Sequence, residues 1–160
     1  MQIEQGDLVQ KAKAGEFDVI VHGCNCFCQM GAGIAKTIKQ VFPAAYQADL
    51  ATVAGDQTKL GTYSVAQVDV PGKVLVIVNG YTQYQWRGTS LKADYEAIRQ
   101  VFQRVKQAYT GRRIGYPVLG AGLDGETEQL LPLSSTKSSR ARSMSSYNGL
   151  SSVHHYSPNG

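Results

Sequence analysis

Apolar positions along the chain fall into short continuous runs and longer helical stripes. "EFDVIVH" (16–22) is a β-branched run between Gly15 and Gly23, the pattern of a buried strand. "TYSVAQVD" (62–69) alternates apolar and polar residues, and "KVLVIVN" (73–79) is continuously apolar. With "DVPGKV" between them, these two predict a hairpin or a pair of neighbouring strands. "RIGYPVLG" (113–120) predicts another short strand ending in glycine, and the opening "MQIEQ" an edge strand. Ile34, Ile38 and Val41 fall on one helical face just after a glycine pair. "AAYQADLATV" predicts a middle helix starting past Pro43. Leu91, Tyr95, Ile98, Phe102 and Val105 recur at helical spacing, with Ser90 as N-cap and Gly111 near the stop. Strands alternating with helices predict an α/β sandwich around a mixed sheet.

The pattern stops near residue 124. Serine is rare before that point and recurs throughout from Ser134 onward, and the apolar period disappears. "SSTKSSRARSMSSYNG" reads as poorly packed. The expected organisation is therefore a core over residues 1–123 followed by an atypical segment over 124–160.

A chain of 160 residues predicts one domain with a substantial core. Apolar residues make up 42% and charged residues 18%, as in a soluble globular protein. No run of about 18 apolar residues suggests a membrane helix, and the N-terminus lacks the features of a signal peptide. A cytoplasmic location without membrane association is expected. The net charge of +4 is mild, and no basic stretch is interleaved with aromatics, so no nucleic-acid partner is expected. A small anionic ligand suits this charge equally well. Cys24, Cys26 and Cys28 alternate at a spacing of two, which is not the C-x-x-C of zinc or redox sites, and no fourth ligand is near. They are expected to be reduced thiols packed as small hydrophobes. Neither a metal nor a cofactor is expected, and the oligomeric state is not legible.

Two glycine-rich segments follow strands: Gly31-Ala32-Gly33, leading into a helix at Ile34, and Gly120-Ala121-Gly122 after "YPVL". Glycines let backbone N–H groups approach a phosphate, and a helix N-terminus adds a favourable dipole. In open α/β sheets ligands favour the crevice at the carboxyl ends of strands. Two such loops facing each other could clamp a diphosphate.

"GDLVQ", "VIVHGCNCFCQMGAGIAKTIKQVFP" and "YPVLGAGL" together resemble the macrodomain family of ADP-ribose-binding modules, over about residues 1–123. The H-x-C-N at 22–25 is most similar to the branch containing ADP-ribose 1''-phosphate phosphatases and related ADP-ribosyl-adduct hydrolases. The resemblance implies a three-layer α/β/α sandwich with a central mixed sheet, and ADP-ribose or a derivative as ligand. It implies that Asp7 accepts from the adenine amino group, with Leu8 contacting the base through its backbone. It implies that Asn25 bonds the distal ribose. Gly31, Ala32, Gly33 and Ile34 match the first diphosphate loop, and Gly120, Ala121, Gly122 and Leu123 the second. Tyr81 is the candidate aromatic against the ligand, with core packing as the alternative.

For catalysis the candidates are His22 and Asp124. Histidine can act as acid or base near neutral pH, and it reads equally as a hydrogen-bonded structural group. Asp124 stands where one adduct-hydrolysing branch keeps an aspartate. That branch also uses a lysine where this chain has Asn79, so a lysyl intermediate is not expected; Lys92 reads as an exposed helix residue. The expected activity is hydrolysis of ADP-ribose 1''-phosphate or a related ADP-ribosyl adduct by water attack. The alternative is a non-catalytic ADP-ribose reader.

After the second loop the family has a further helix and strand. With freely chosen codons, "LSSTKSSRARSMSSYNG" can be spelled so that a neighbouring frame reads "IVDEELAGQEHVVVQW", a helix followed by a strand. A base lost near codons 124–126 would produce that pattern. Asp124 would then itself be a shifted residue, and a loose C-terminus is expected.

Overall fold

The computed structural model describes residues 2–5, 7–85, 94–117 and 152–156, the first and last of these by their backbone. Six strands and four α-helices alternate among the described residues: β1 (Gln2–Gln5), α1 (Leu8–Lys13), β2 (Val19–Asn25), α2 (Gly33–Val41), α3 (Pro43–Leu50), β3 (Tyr63–Val70), β4 (Lys73–Gln83), α4 (Tyr95–Ala108), β5 (Ile114–Pro117) and β6 (Ser152–Tyr156). One sheet runs in the order β1-β6-β5-β2-β4-β3. β2 is parallel to both β4 and β5, whereas β6 is antiparallel to β1 and β5, and β3 to β4. The sheet is therefore mixed, as expected.

Two apolar clusters make the sandwich three-layered. On one face Ile20, Leu75 and Ile77 meet Leu8, Val9 and Ala12 of α1, Ile38 of α2 and Ala45 of α3. On the other, Val19, Val21 and Val78 meet Ile98, Val101, Phe102 and Val105 of α4. Successive residues of β2 thus point to opposite layers, and both are buried.

The β3–β4 hairpin turns on Pro71 and Gly72, with Val70 opposite Lys73. Proline presets the first turn position, and Gly72 at φ +80° takes the second.

Three boundaries differ from the sequence reading. β2 begins at Val19 rather than residue 16 and runs through Gly23 to Asn25. Asp18 is instead a staple: its carboxylate accepts from the Arg113 N–H and from Lys73 Nζ, both at 2.9 Å. α4 is capped by Asp94, whose side chain accepts from the Ala97 N–H; Ser90 and Leu91 lie outside the described residues. α3 begins on Pro43 itself, which sits in the first turn where its missing N–H costs nothing. The serine-rich segment also yields an element that its composition does not predict: Ser152–Tyr156 is β6, paired on both sides between β1 and β5.

Candidate functional site

Strand directions gather the candidate residues at one edge of the sheet. β1 is antiparallel to β6, β6 to β5, and β5 is parallel to β2, so β1, β5, β2 and β4 all run the same way. Asp7 follows β1 and the 26–32 turn follows β2. Both lie at the carboxyl edge of the sheet, the position at which open α/β sheets bind ligands. Leu8 and Ile34 pack in the same apolar cluster, which ties the start of α1 to the start of α2.

The glycine loop has the form its sequence suggests. Ala32 is extended (φ −146°, ψ 161°) and Gly33 opens α2 at φ +57°, a conformation that glycine adopts without strain. Gly31 and Gly33 are exposed, and a Cβ built on either would meet no atom of the described residues within 4 Å. Among the described residues no side chain caps α2, and its first turn holds no acid, so its first backbone N–H groups remain available at the positive end of the helix dipole.

Asp7 is exposed and caps α1, accepting from the Val9 N–H at 2.9 Å and the Gln10 N–H at 3.2 Å. Both bonds use Oδ1. Leu8 is buried, so only its backbone remains available to a base. Asn25 shapes the turn: its amide donates to Gln29 O and its carbonyl accepts from the Phe27 N–H, each at 2.9 Å. Gly120, Ala121, Gly122, Leu123, Asp124 and Lys92 lie outside the described residues.

At two residues the sequence left open a choice between a site role and a structural one. Tyr81 is 1% exposed within β4 and does not present its ring at the sheet edge. Its hydroxyl donates to Asp49 Oδ1 at 2.8 Å, which makes it part of the core. His22 is also fully buried. Burial holds its pKa down to about 4, against an opposing pull from the Asn79 hydrogen bond, so the ring is neutral near pH 7. A buried neutral ring bonded to Asn79 favours the structural reading of His22 over a solvent-facing acid or base.

These residues belong to a buried polar chain that sequence reasoning missed. His22 Nε2 donates to Asn79 Oδ1 at 2.7 Å, and the Asn79 amide donates to Ser64 Oγ and to Ala45 O. Ser64 Oγ lies 2.9 Å from the Tyr81 hydroxyl, whose own proton goes to Asp49, so Ser64 donates there. Each group passes its proton to the next and the buried Asp49 carboxylate ends the chain. Lys59, also buried, lies beside that terminus with its Nζ 4.4 Å from the Tyr81 ring centroid. The available signal was Asp49, the lone acid in "AAYQADL"; Ala45 and Asp49 share a helix face at a spacing of four.

Among the described residues no group of three or more His, Cys, Asp or Glu side chains could hold a metal ion. No helix of the described residues is long and apolar enough to cross a membrane. The three cysteines are free and buried.

Residues 21–129 match the family model for the Macro domain. The chain is 44% identical over 82 residues to the 17.5 kDa protein of the tk–vs intergenic region of Enterobacteria phage T4, a match covering 51% of this chain and 52% of that protein. It is 48% identical over 42 residues to an ADP-ribose 1''-phosphate phosphatase of Aspergillus oryzae, covering 26% of this chain and 19% of the phosphatase. The chain thus spans about half the length of the first relative and about a fifth of the second. The macrodomain of Thermus aquaticus DarG superposes with a TM-score of 0.59 at 24% identity, covering 79% of this chain and 83% of that one. Thermosipho africanus DarTG, solved in complex with ADP-ribose, superposes at 0.54 and 15% identity, covering 69% of this chain and 31% of that one. At these identities the two structures speak to the fold alone. The family model covers well over half of the chain and agrees with the three-layer sandwich and the glycine loop at its carboxyl edge: the chain belongs to the Macro domain family.

Proposed function

We propose that this protein binds ADP-ribose or a derivative at the carboxyl edge of its sheet and hydrolyses ADP-ribose 1''-phosphate or a related ADP-ribosyl adduct. The observation that carries the binding reading is the uncapped N-terminus of α2, with Gly31 and Gly33 open to solvent at the end of a central strand. It offers N–H donors and a positive dipole to a diphosphate. Asp7, leaving the same edge, would accept from the adenine amine, and Asn25 would reach the distal ribose by exchanging one of its turn bonds. The second loop, Gly120 to Leu123, would close over the diphosphate from β5. The aligned N–H groups would also stabilise charge developing on a phosphoryl oxygen as water attacks. Asp124 is the remaining candidate to orient that water. The partial match to an ADP-ribose 1''-phosphate phosphatase supports the choice of substrate.

The burial of His22 favours a second reading, a non-catalytic reader of ADP-ribose. Titration calorimetry with ADP-ribose tests the shared part: a single-site isotherm is expected, weakened at least tenfold by Gly33→Val. An absence of heat with folded protein would reject both readings. Phosphate release from ADP-ribose 1''-phosphate then separates them, since tight binding without release leaves the reader.

A further inference from the structure

The proposed function leaves unused a buried amine and thiol in contact. Lys59 Nζ donates to Cys28 Sγ at 3.4 Å, and each residue is only 7% exposed. The other hydrogen bond of the lysine goes to Cys26 O at 3.1 Å, and it makes no ion pair with any described residue. The thiol has further partners: Cys28 Sγ donates to Asp49 O at 3.1 Å and lies 3.3 Å from Thr52 Oγ1. The Cys28 backbone, at φ +56°, is in a region that non-glycine residues rarely adopt, so its direction is set by the surrounding fold. Among the described residues, Cys28 is the thiol that an ammonium touches.

We propose that Cys28 and Lys59 form a peroxide-sensitive modification site, at which oxidation joins Cys28 Sγ to Lys59 Nζ in a sulfenamide bond. Hydrogen peroxide supplies the two oxidising equivalents. The Cys28 sulfur takes one oxygen to become a sulfenic acid, and the peroxide leaves as water. Lys59 then releases one ammonium proton to solvent, and its nitrogen lone pair attacks sulfur. The S–O bond breaks and the hydroxyl departs as water with a second proton from nitrogen. The S–N bond is left in place, with no further change in oxidation level. Cys24 and Cys26 are poorer starting points: burial pushes both thiols up, which disfavours the nucleophilic thiolate. The new bond ties Cys28, three residues before Gly31 in the turn after β2, to the end of the short 3-10 helix Gln57–Lys59.

The test is peptide mapping of the full chain after hydrogen peroxide treatment. We expect a tryptic species joining the Cys28 and Lys59 peptides, lighter than their sum by about two hydrogens, uncut at Lys59 and released by dithiothreitol. Amide exchange in the 26–33 turn should slow in the oxidised protein. Lys59→Arg should abolish the joined species and leave Cys28 oxidised further. The proposal is overturned if Cys28 is found in a disulfide with Cys24 or Cys26, or as sulfinic acid while trypsin still cuts at Lys59. Should Lys59→Arg not fold, the wild-type map alone decides between these outcomes.

Discussion

The two faces of the central sheet are built on different chemistry. The α4 face is dry: Val19, Val21 and Val78 meet Ile98, Val101, Phe102 and Val105. The α3 face begins the same way, with Ile20, Leu75 and Ile77, but toward the carboxyl ends of β2 and β4 its residues become His22, Asn79 and Tyr81. His22, Asn79 and Tyr81 each have a partner in the chain that ends on Asp49 Oδ1, whereas Asp49 Oδ2 is buried with no partner among the described residues. One face contributes burial alone, so it tolerates changes of shape poorly. The other depends on every donor keeping its acceptor, so it is sensitive to the loss of single atoms and to protons. The polar face is also the one that continues into the glycine loop.

Four perturbations would break or sharpen this contrast. The largest should come from the dry face. Phe102 packs edge-on against Tyr116 with ring centroids 4.8 Å apart. Phe102→Ala should cost about 3–5 kcal/mol in denaturant unfolding; a loss below 1 kcal/mol, on the order expected of an exposed site, would mean that α4 is not tightly docked.

Next comes acid. The folded pKa of His22 is depressed to about 4 from 6.5. The unfolded chain therefore takes up the proton first. The stabilising contribution is complete above pH 6.5 and is lost as pH falls toward about 4. At 1.36 kcal/mol per pKa unit the loss is on the order of 3 kcal/mol. Urea titrations across that range should show the slope in wild type and a flatter profile in His22→Gln. Equal slopes would remove His22 as the source.

A smaller effect is expected from Asn79→Leu, which leaves the His22 N–H and the Ala45 carbonyl without their partner. The cost should be about 1–3 kcal/mol, read from the shift in urea midpoint. No shift would show that the polar chain is interchangeable with apolar packing. Asp7→Ala should cost least, about 1 kcal/mol through the lost α1 cap, while weakening ADP-ribose uptake in calorimetry. Unchanged uptake would confine Asp7 to capping.

Much of the fold was legible locally. The alternation over 62–69, the run over 73–79 and the intervening proline and glycine specify a hairpin, because turn chemistry and strand period act between near neighbours. The α4 stripe was equally readable, although its start was not: Ser90 and Asp94 are both competent caps, and the helix uses Asp94, whose own N–H donates to Thr82 O of β4. The glycine loop was legible because few other residues allow φ +57° at Gly33. The roles of Tyr81 and His22 were not, because an aromatic or a histidine near a strand end looks the same whether the next layer is solvent or a helix.

What the sequence determined by itself is the set of elements, their capping and turn residues, and the family resemblance of the glycine loop, since each depends on residues a few positions apart. The tertiary structure decided which polar side chains are sealed and which face outward. His22 finds Asn79 across 57 positions, Tyr81 finds Asp49 across 32, and Lys59 finds Cys28 across 31. His22 meets Asn79 when β2 pairs with β4, and Asp49 reaches Tyr81 from α3; the removal of water then makes each unmet hydrogen bond expensive enough to fix the arrangement.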